Sequence, residues 1–141
     1  MCIRDRPKDK IDVSICNPPF HASKKEALKG SMRKVRRLTG KRSKKIQLNF
    51  SGMAKELIYK GGEKQFIQNM ITESEQFSDK CFWFTTFVSK EENLKGIYSA
   101  LKEIKATEVK TINMGTANKI SRIVAWTFLT KEQQKEWVAN R

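Results

Sequence analysis

Residues 17–20 read Asn-Pro-Pro-Phe, and their types suit one kind of target. Asn17 carries a side-chain carbonyl acceptor and Pro18 a backbone carbonyl, on a stretch whose φ angles the two prolines fix. Two stiffly held acceptors aimed at one place match a planar NH₂ group, which has two donors. Phe20 adds a flat apolar face suited to stacking on a planar ring. The implied target is an exocyclic amine on a planar group. Such an amine is a poor nucleophile, because its lone pair is delocalised into the ring. Accepting both of its hydrogens returns electron density to nitrogen and steadies the positive charge that develops as it attacks a methyl group. Orienting the lone pair toward the donor adds to this. No strong general base is needed, since the proton can leave after transfer. The same four residues would also serve as a proline-stiffened turn with a core phenylalanine. What favours chemistry is the segment that precedes them.

That segment, residues 11–16, reads as a buried strand, with Ile11, Val13 and Ile15 apolar and β-branched and Cys16 at its end. Prolines cannot donate to a ladder, so the strand stops at the corner. Farther along, residues 53–59 suit a short helix stopped by Gly61-Gly62. A helix from Glu63 carries Phe66, Ile67, Met70, Ile71 and Phe77 on one face. Cys81 to Val88 is dense in aromatic and β-branched residues and reads as a strand buried on both faces, so Trp83 and Phe84 belong to the core. Ser89-Lys90-Glu91-Glu92 has the pattern of a capping box opening a helix with Leu94, Ile97, Tyr98, Leu101 and Ile104 at helical spacing. A strand over 108–113, a turn from Met114 to Ser121 and a strand from Arg122 to Leu129, with Trp126 in the core, predict an antiparallel hairpin. Thr130 to Gln133 caps a terminal helix. Strands alternating with helices predict an α/β fold, a parallel sheet with a hairpin at one edge. Ligands of such sheets sit at the carboxyl ends of strands, where Asn17 lies.

The 141 residues carry 29 basic and 15 acidic side chains, a formal charge of +14, and such an excess points to a polyanionic partner. Most of it falls in residues 22–50, which read as a long loop: between Lys24 and Lys45 stand eleven basic residues against one acid, Glu26. A solvated charge run is the plain reading. Phosphate contact is the functional one, positioning a nucleic acid without reading its sequence. Cys2, Cys16 and Cys81 are too few and too scattered for a disulfide framework or a zinc site, and no metal is expected. They read as free thiols of a reducing, cytoplasmic setting. No apolar run approaches the roughly 20 residues of a membrane span, and the charged first residues are no secretory signal. Residues 1–7 fit no pattern and read as a foreign-looking or disordered tail.

Several separated motifs carry a family resemblance: NPPFHAS at 17–23, LNF at 48–50, GGE at 61–63 with Phe66, WFTTFVSKEENL at 83–94 and SRIVAWTF at 121–128. Together, from about Lys8 to the C-terminus, they resemble the bacterial 23S rRNA adenine-N6 methyltransferase family. The resemblance implies a Rossmann-like class I methyltransferase fold using S-adenosyl-L-methionine. Asn17 and the Pro18 carbonyl would hold the adenine amine, Pro19 would stiffen the corner, and Phe20 would stack on the flipped base. Asn17 would also edge the cofactor site. His21, Lys34, Arg36, Arg37, Lys41, Arg42, Lys44, Lys45 and Arg122 would face RNA, and the regions of Gly61-Gly62-Glu63 and Ser121-Arg122 would shape the RNA and cofactor side. His21 is read as a hydrogen-bonding or RNA-contacting neighbour of the corner, since amine methylation gives a base no necessary task. For Arg122 a phosphate and a surface carboxylate are equally good partners. The implied partner is 23S rRNA or a large-subunit assembly intermediate. Such enzymes place a glycine-rich cofactor loop and an acidic ribose-binding residue ahead of the corner, and only 16 residues precede Asn17 here. Residues 8–141 are therefore expected to be the C-terminal half of the sheet, with little cofactor affinity by themselves. A non-catalytic basic rRNA-binding module is one alternative. A protein-glutamine N5 methyltransferase is another, disfavoured by the charge and by Phe20 in place of the tyrosine common in that class.

If the basic loop contacts phosphates, neutralising Arg36, Arg37, Lys41 and Arg42 together flattens the salt dependence of RNA affinity. Each lost contact removes roughly 0.7–0.9 from the slope of log affinity against log salt. An unchanged slope would make the loop a bystander.

Overall fold

In the computed structural model, the structure describes residues 9–19, 21, 58–116 and 119–140. Phe20, the predicted loop over 22–50 with Lys34, Arg36, Arg37, Lys41, Arg42, Lys44 and Lys45, and most of the helix predicted over 53–59 lie outside the described residues. The chain divides into two compact units, one of Met1–Pro18 with Ile67–Arg141 and one of Pro19–Phe66.

The larger unit is a sheet of four strands: β1 (Ile11–Cys16), β2 (Cys81–Val88), β3 (Glu108–Thr116) and β4 (Lys119–Thr127), in the order β1-β2-β4-β3. β1 lies parallel to β2, with Ile11 opposite Cys81 and Cys16 opposite Thr86. The hairpin is antiparallel, as its alternating pattern predicts, and its second strand turns back to pair with β2, leaving β3 outside. β2 spans the residues that the aromatic and β-branched run predicts, but it is not buried on both faces: Phe84 joins the core as expected, whereas Trp83, on the other face, is only half-buried and stays out of it. The predicted turn over 114–121 is shorter than expected, because the ladder continues to Thr116 opposite Lys119. A glycine and small polar residues read as a turn, but in a two-stranded ribbon they pair as readily.

Helices α1 (Gly62–Ser74) and α2 (Leu94–Glu103) supply the apolar side chains that bury one face of this sheet. Ile67 and Ile71 of α1 join Ile97 and Leu101 of α2, and they pack with Phe84, Val88, Val124 and Trp126 into one core. Phe84 stacks on Trp126 at 5.9 Å between centroids. The indole of Trp126 is fully buried, and its N–H donates to Ser74 Oγ at 3.0 Å, so the core contains no orphaned indole donor. Ser74 in turn donates to the Ile71 carbonyl at 2.7 Å. The predicted box at Ser89–Glu92 does not open α2 directly. A 3₁₀ turn, Glu91–Asn93, comes first, and neither Lys90 nor Asn93 caps with its side chain. On the opposite face of the sheet apolar side chains remain in solvent, Ile15 at 86% and Val13 at 49% exposure.

Helix α3 (Lys131–Ala139) opens with the predicted capping box: Gln133 N–H donates to Thr130 Oγ1 at 3.2 Å and Thr130 N–H to Gln133 Oε1 at 2.9 Å. It docks on the first strand, where Trp137 Nε1–H donates to Asp12 Oδ1 at 2.9 Å and its ring meets Phe82 edge-on. Lys10 Nζ lies 5.1 Å from the centre of the same ring.

In the smaller unit, His21 and Ile58 form a parallel bridge, and Tyr59 N–H donates to the His21 carbonyl at 2.9 Å. Ile58 is therefore extended, where a helix over 53–59 was predicted. Gly61 and Gly62 do not stop a helix but lead into one. Their φ angles of +90° and +69° lie in the left-handed region that glycine tolerates. A Cβ at Gly61 would also stand 2.5 Å from Gln65 Cβ. Tyr59 packs edge-on against Phe66 at 5.1 Å.

Glu108 ties β3 to α3. A hydrogen bond from Lys131 (2.7 Å) and another from Gln134, with Lys131 and Lys110 charges nearby, hold its carboxyl at about 2, below the ordinary 4.5. A depressed carboxylate contributes stability above its unfolded value and loses it as pH falls through the folded one. The Glu108→Gln variant is therefore expected to show a flatter fall in thermal midpoint than the unsubstituted chain between pH 4.5 and about 2. Identical pH profiles would remove this contact from the acid response.

Candidate functional site at the carboxyl ends of the strands

The corner lies where the sheet rule puts a ligand. β1 and β2 run in the same direction and are locked together near their ends, where Thr85 Oγ1 donates to the Ser14 carbonyl at 2.7 Å. The ladder reaches Cys16 opposite Thr86 and then stops at Asn17, Pro18 and Pro19, which belong to no strand. Pro18 is buried at less than 2% exposure, whereas Asn17 is exposed. The rigid residue is thus held in the protein while the residue with the useful side chain faces out. Neither X-Pro bond is cis. Pro19 is half-buried, and His21, also half-buried, belongs to the second unit through its bridge to Ile58. Phe20 lies outside the described residues.

Beside Asn17 stands Cys16. Burial pushes its thiol upward, and a hydrogen bond with Thr86 offsets only part of this. A neutral thiol is no nucleophile. Among the described residues no cluster of three histidine, cysteine or carboxylate side chains could hold a metal. What the corner offers is acceptors on a stiff backbone.

Arg122 sits in β4 opposite Val88, the last residue of β2, and opposite Asn113 of β3. It is only 4% exposed, and its Nη1 has no hydrogen-bond partner. This burial takes Arg122 away from the surface where either expected partner, an RNA phosphate or a surface carboxylate, would meet it. Its cross-strand pairing puts it on the same face as Val124 and Trp126, in the helix-covered half of the sheet. Sequence reasoning places arginines at the surface by type, and only the even spacing from Val124 and Trp126 signals the inward face. Glu63, at the start of α1, is likewise buried at 2% exposure.

Residues 2–130 match the family model described as RNA methyltransferase. The chain belongs to that family. Among curated RNA methyltransferases, "Ribosomal RNA large subunit methyltransferase F" of Shewanella woodyi is 47% identical over 96% of this chain and 39% of its own length. The protein of that name from Photobacterium profundum is 48% identical over 94% of this chain and 44% of its own. The chain thus spans about two fifths of the length of the curated relatives it matches. Among solved structures, the hMettl16 catalytic domain in complex with MAT2A 3'UTR hairpin 1 superposes with a TM-score of 0.67 at 23% identity, covering 88% of this chain and 41% of that one. At that identity the likeness shows the fold, a partial Rossmann-like methyltransferase sheet with its helices.

A buried guanidinium nitrogen without an acceptor, as Arg122 Nη1 is among the described residues, carries a desolvation cost. Replacing the arginine by an apolar residue of similar length removes that cost. Arg122→Met is expected to keep or raise the thermal midpoint, measured by calorimetry at neutral pH. A fall of several degrees would mean that the folded chain already supplies the arginine with an anion.

Proposed function

We propose that this chain is the base-clamping and RNA-contacting part of an enzyme that methylates the N6 amine of an adenine in 23S rRNA. The substrate is the rRNA or a large-subunit assembly intermediate, and the setting is the cytoplasm. The observation that carries the reading is the corner itself, an exposed Asn17 before a buried Pro18, at the carboxyl end of a strand in a methyltransferase sheet. The relatives' name, with large-subunit rRNA in it, supports the substrate.

S-adenosyl-L-methionine, when bound, supplies an electrophilic methyl group. The described residues fit only the acceptor's end of such a donor. Asn17 stands at the strand end where amine and methyl would meet. The left-handed glycines Gly61 and Gly62 enter α1 from an isolated bridge, not from a sheet strand, so they do not make a nucleoside cradle. The chain's own part is then positional. Asn17 Oδ1 and the Pro18 carbonyl accept the two amine hydrogens and turn the nitrogen lone pair outward, while Phe20 stacks on the base. His21 and the basic residues Lys34, Arg36, Arg37, Lys41, Arg42, Lys44 and Lys45 hold the RNA backbone around it, while Arg122, buried under the helices, takes no part in that contact. No described helix is long and apolar enough to cross a membrane.

A second reading, a basic rRNA-binding module without catalysis, is favoured by the missing nucleoside cradle among the described residues. One assay separates the two. In the full-length protein, Asn17→Ala is expected to lower transfer of labelled methyl groups to 23S rRNA by roughly 10²-fold or more, with RNA affinity largely kept. Turnover that survives the substitution would sink the amine clamp. No transfer even by the unsubstituted full-length protein would favour the binding module.

A further inference from the structure

The hairpin is longer than the sheet that carries it. β2 ends at Val88 opposite Arg122, but β3 and β4 continue through Met114 opposite Ser121, Gly115 opposite Ile120 and Thr116 opposite Lys119. These three pairs extend as a two-stranded ribbon, by roughly 7–10 Å at strand rise. They extend past the carboxyl end of β2, and β1 runs parallel to β2, so the ribbon stands at the same end of the sheet as Asn17 and Pro18, with β2 between β1 and β4.

Its surface is unusual for a solvated tip. Ile120 is 68% exposed, Ile112 53% and Met114 46%. Met114 and Ile112 share one face and Ile120 lies on the other, so no single packing event within the sheet covers them. Gly115, opposite Ile120, is not required by its own protein: its φ is not left-handed, and a Cβ there meets nothing within 4 Å. A glycine inside a strand that neither turns nor packs marks a place where another molecule's backbone comes close. Ser121 Oγ donates to the Met114 carbonyl at 2.9 Å, which stiffens the ribbon.

We propose that this ribbon is an RNA-contacting element, with Ile120 and Met114 packing against unstacked bases beside the adenine held at the corner and Gly115 leaving clearance for the sugar–phosphate chain. The inference rests on the RNA-methylating reading above and assigns a partner surface to its site. RNA is the occupant because the ribbon rises from the same end of the sheet as the corner, and because the chain's charge of +14 selects a polyanion. Apolar side chains are fitted to the one part of RNA that is not charged, the faces of unpaired bases. A base taken out of its stack leaves neighbours whose faces need cover.

The test is fluorescence anisotropy with the 141-residue chain and a labelled adenine-bearing stem–loop of large-subunit rRNA, across a range of salt. The double variant Met114→Ala with Ile120→Ala is expected to bind roughly tenfold more weakly with an unchanged salt slope, since apolar contacts release no counterions. Gly115→Gln, which adds bulk and no charge, is expected to weaken binding in the same direction without lowering the thermal midpoint. Affinities equal to that of the unsubstituted chain would overturn the proposal. So would a change in thermal midpoint or oligomeric state with RNA affinity intact, which would make the ribbon a protein contact. An unsubstituted chain that does not bind the stem–loop would sink the underlying RNA reading, and this one with it.

Discussion

The parallel ladder between β1 and β2 can go no farther than Cys16, because two of the next three residues have no backbone N–H. Everything at the site follows from that stop. A strand of ordinary residues would have run on beside Phe87 and Val88 and filled the edge with ladder hydrogen bonds. Here Asn17, Pro18 and Pro19 belong to no strand, and the two prolines fix the backbone that carries them. The side chain before the stop is turned out to solvent, and the first proline is sunk in the protein as its anchor. The sheet is in this sense a mount, and its core of Ile67, Ile71, Ile97, Leu101 and Trp126 exists to keep β1 and β2 in register.

Much of this was legible because local and tertiary preferences agree. In Cys81–Val88 the dense apolar and β-branched run makes a strand, as read, but only one of its faces is covered: Phe84, Thr86 and Val88 are buried while Trp83, Thr85 and Phe87 are half-buried, because both helices that supply the core lie on one side of the sheet. The box at Thr130 and Gln133 is a two-residue device that needs no tertiary help. The hairpin was legible as a pairing but not in length, since Met114-Gly115-Thr116 has turn composition and strand geometry, and composition cannot say which when the ribbon stands in solvent. The box at Ser89–Glu92 does not lead straight into α2 for a related reason: the chain leaves β2 through a tighter 3₁₀ turn before α2 begins.

The site was legible in part. Asn17 and Pro18 could be placed at a strand's carboxyl end from the alternation of Ile11, Val13 and Ile15 alone. Arg122 could not, because its charge argues for the surface while its spacing from Val124 and Trp126 argues for the interior, and spacing prevailed. The stretch that carries most of the positive charge lies outside the described residues, so its role rests on electrostatics and on family.

The bond between Trp137 and Asp12 joins residues 125 apart, nearly the two ends of the chain. It also governs when the corner can exist. β1 cannot pair until β2 has been made, some 70 residues later, because Thr85 is 71 residues from Ser14. It is not pinned on its other side until α3 follows. Contacts this distant in sequence close late. On a translating ribosome the strand that carries Asn17 thus emerges well before the residues that fix it. The corner at Asn17 therefore takes its final place only once α3 is free to dock on β1.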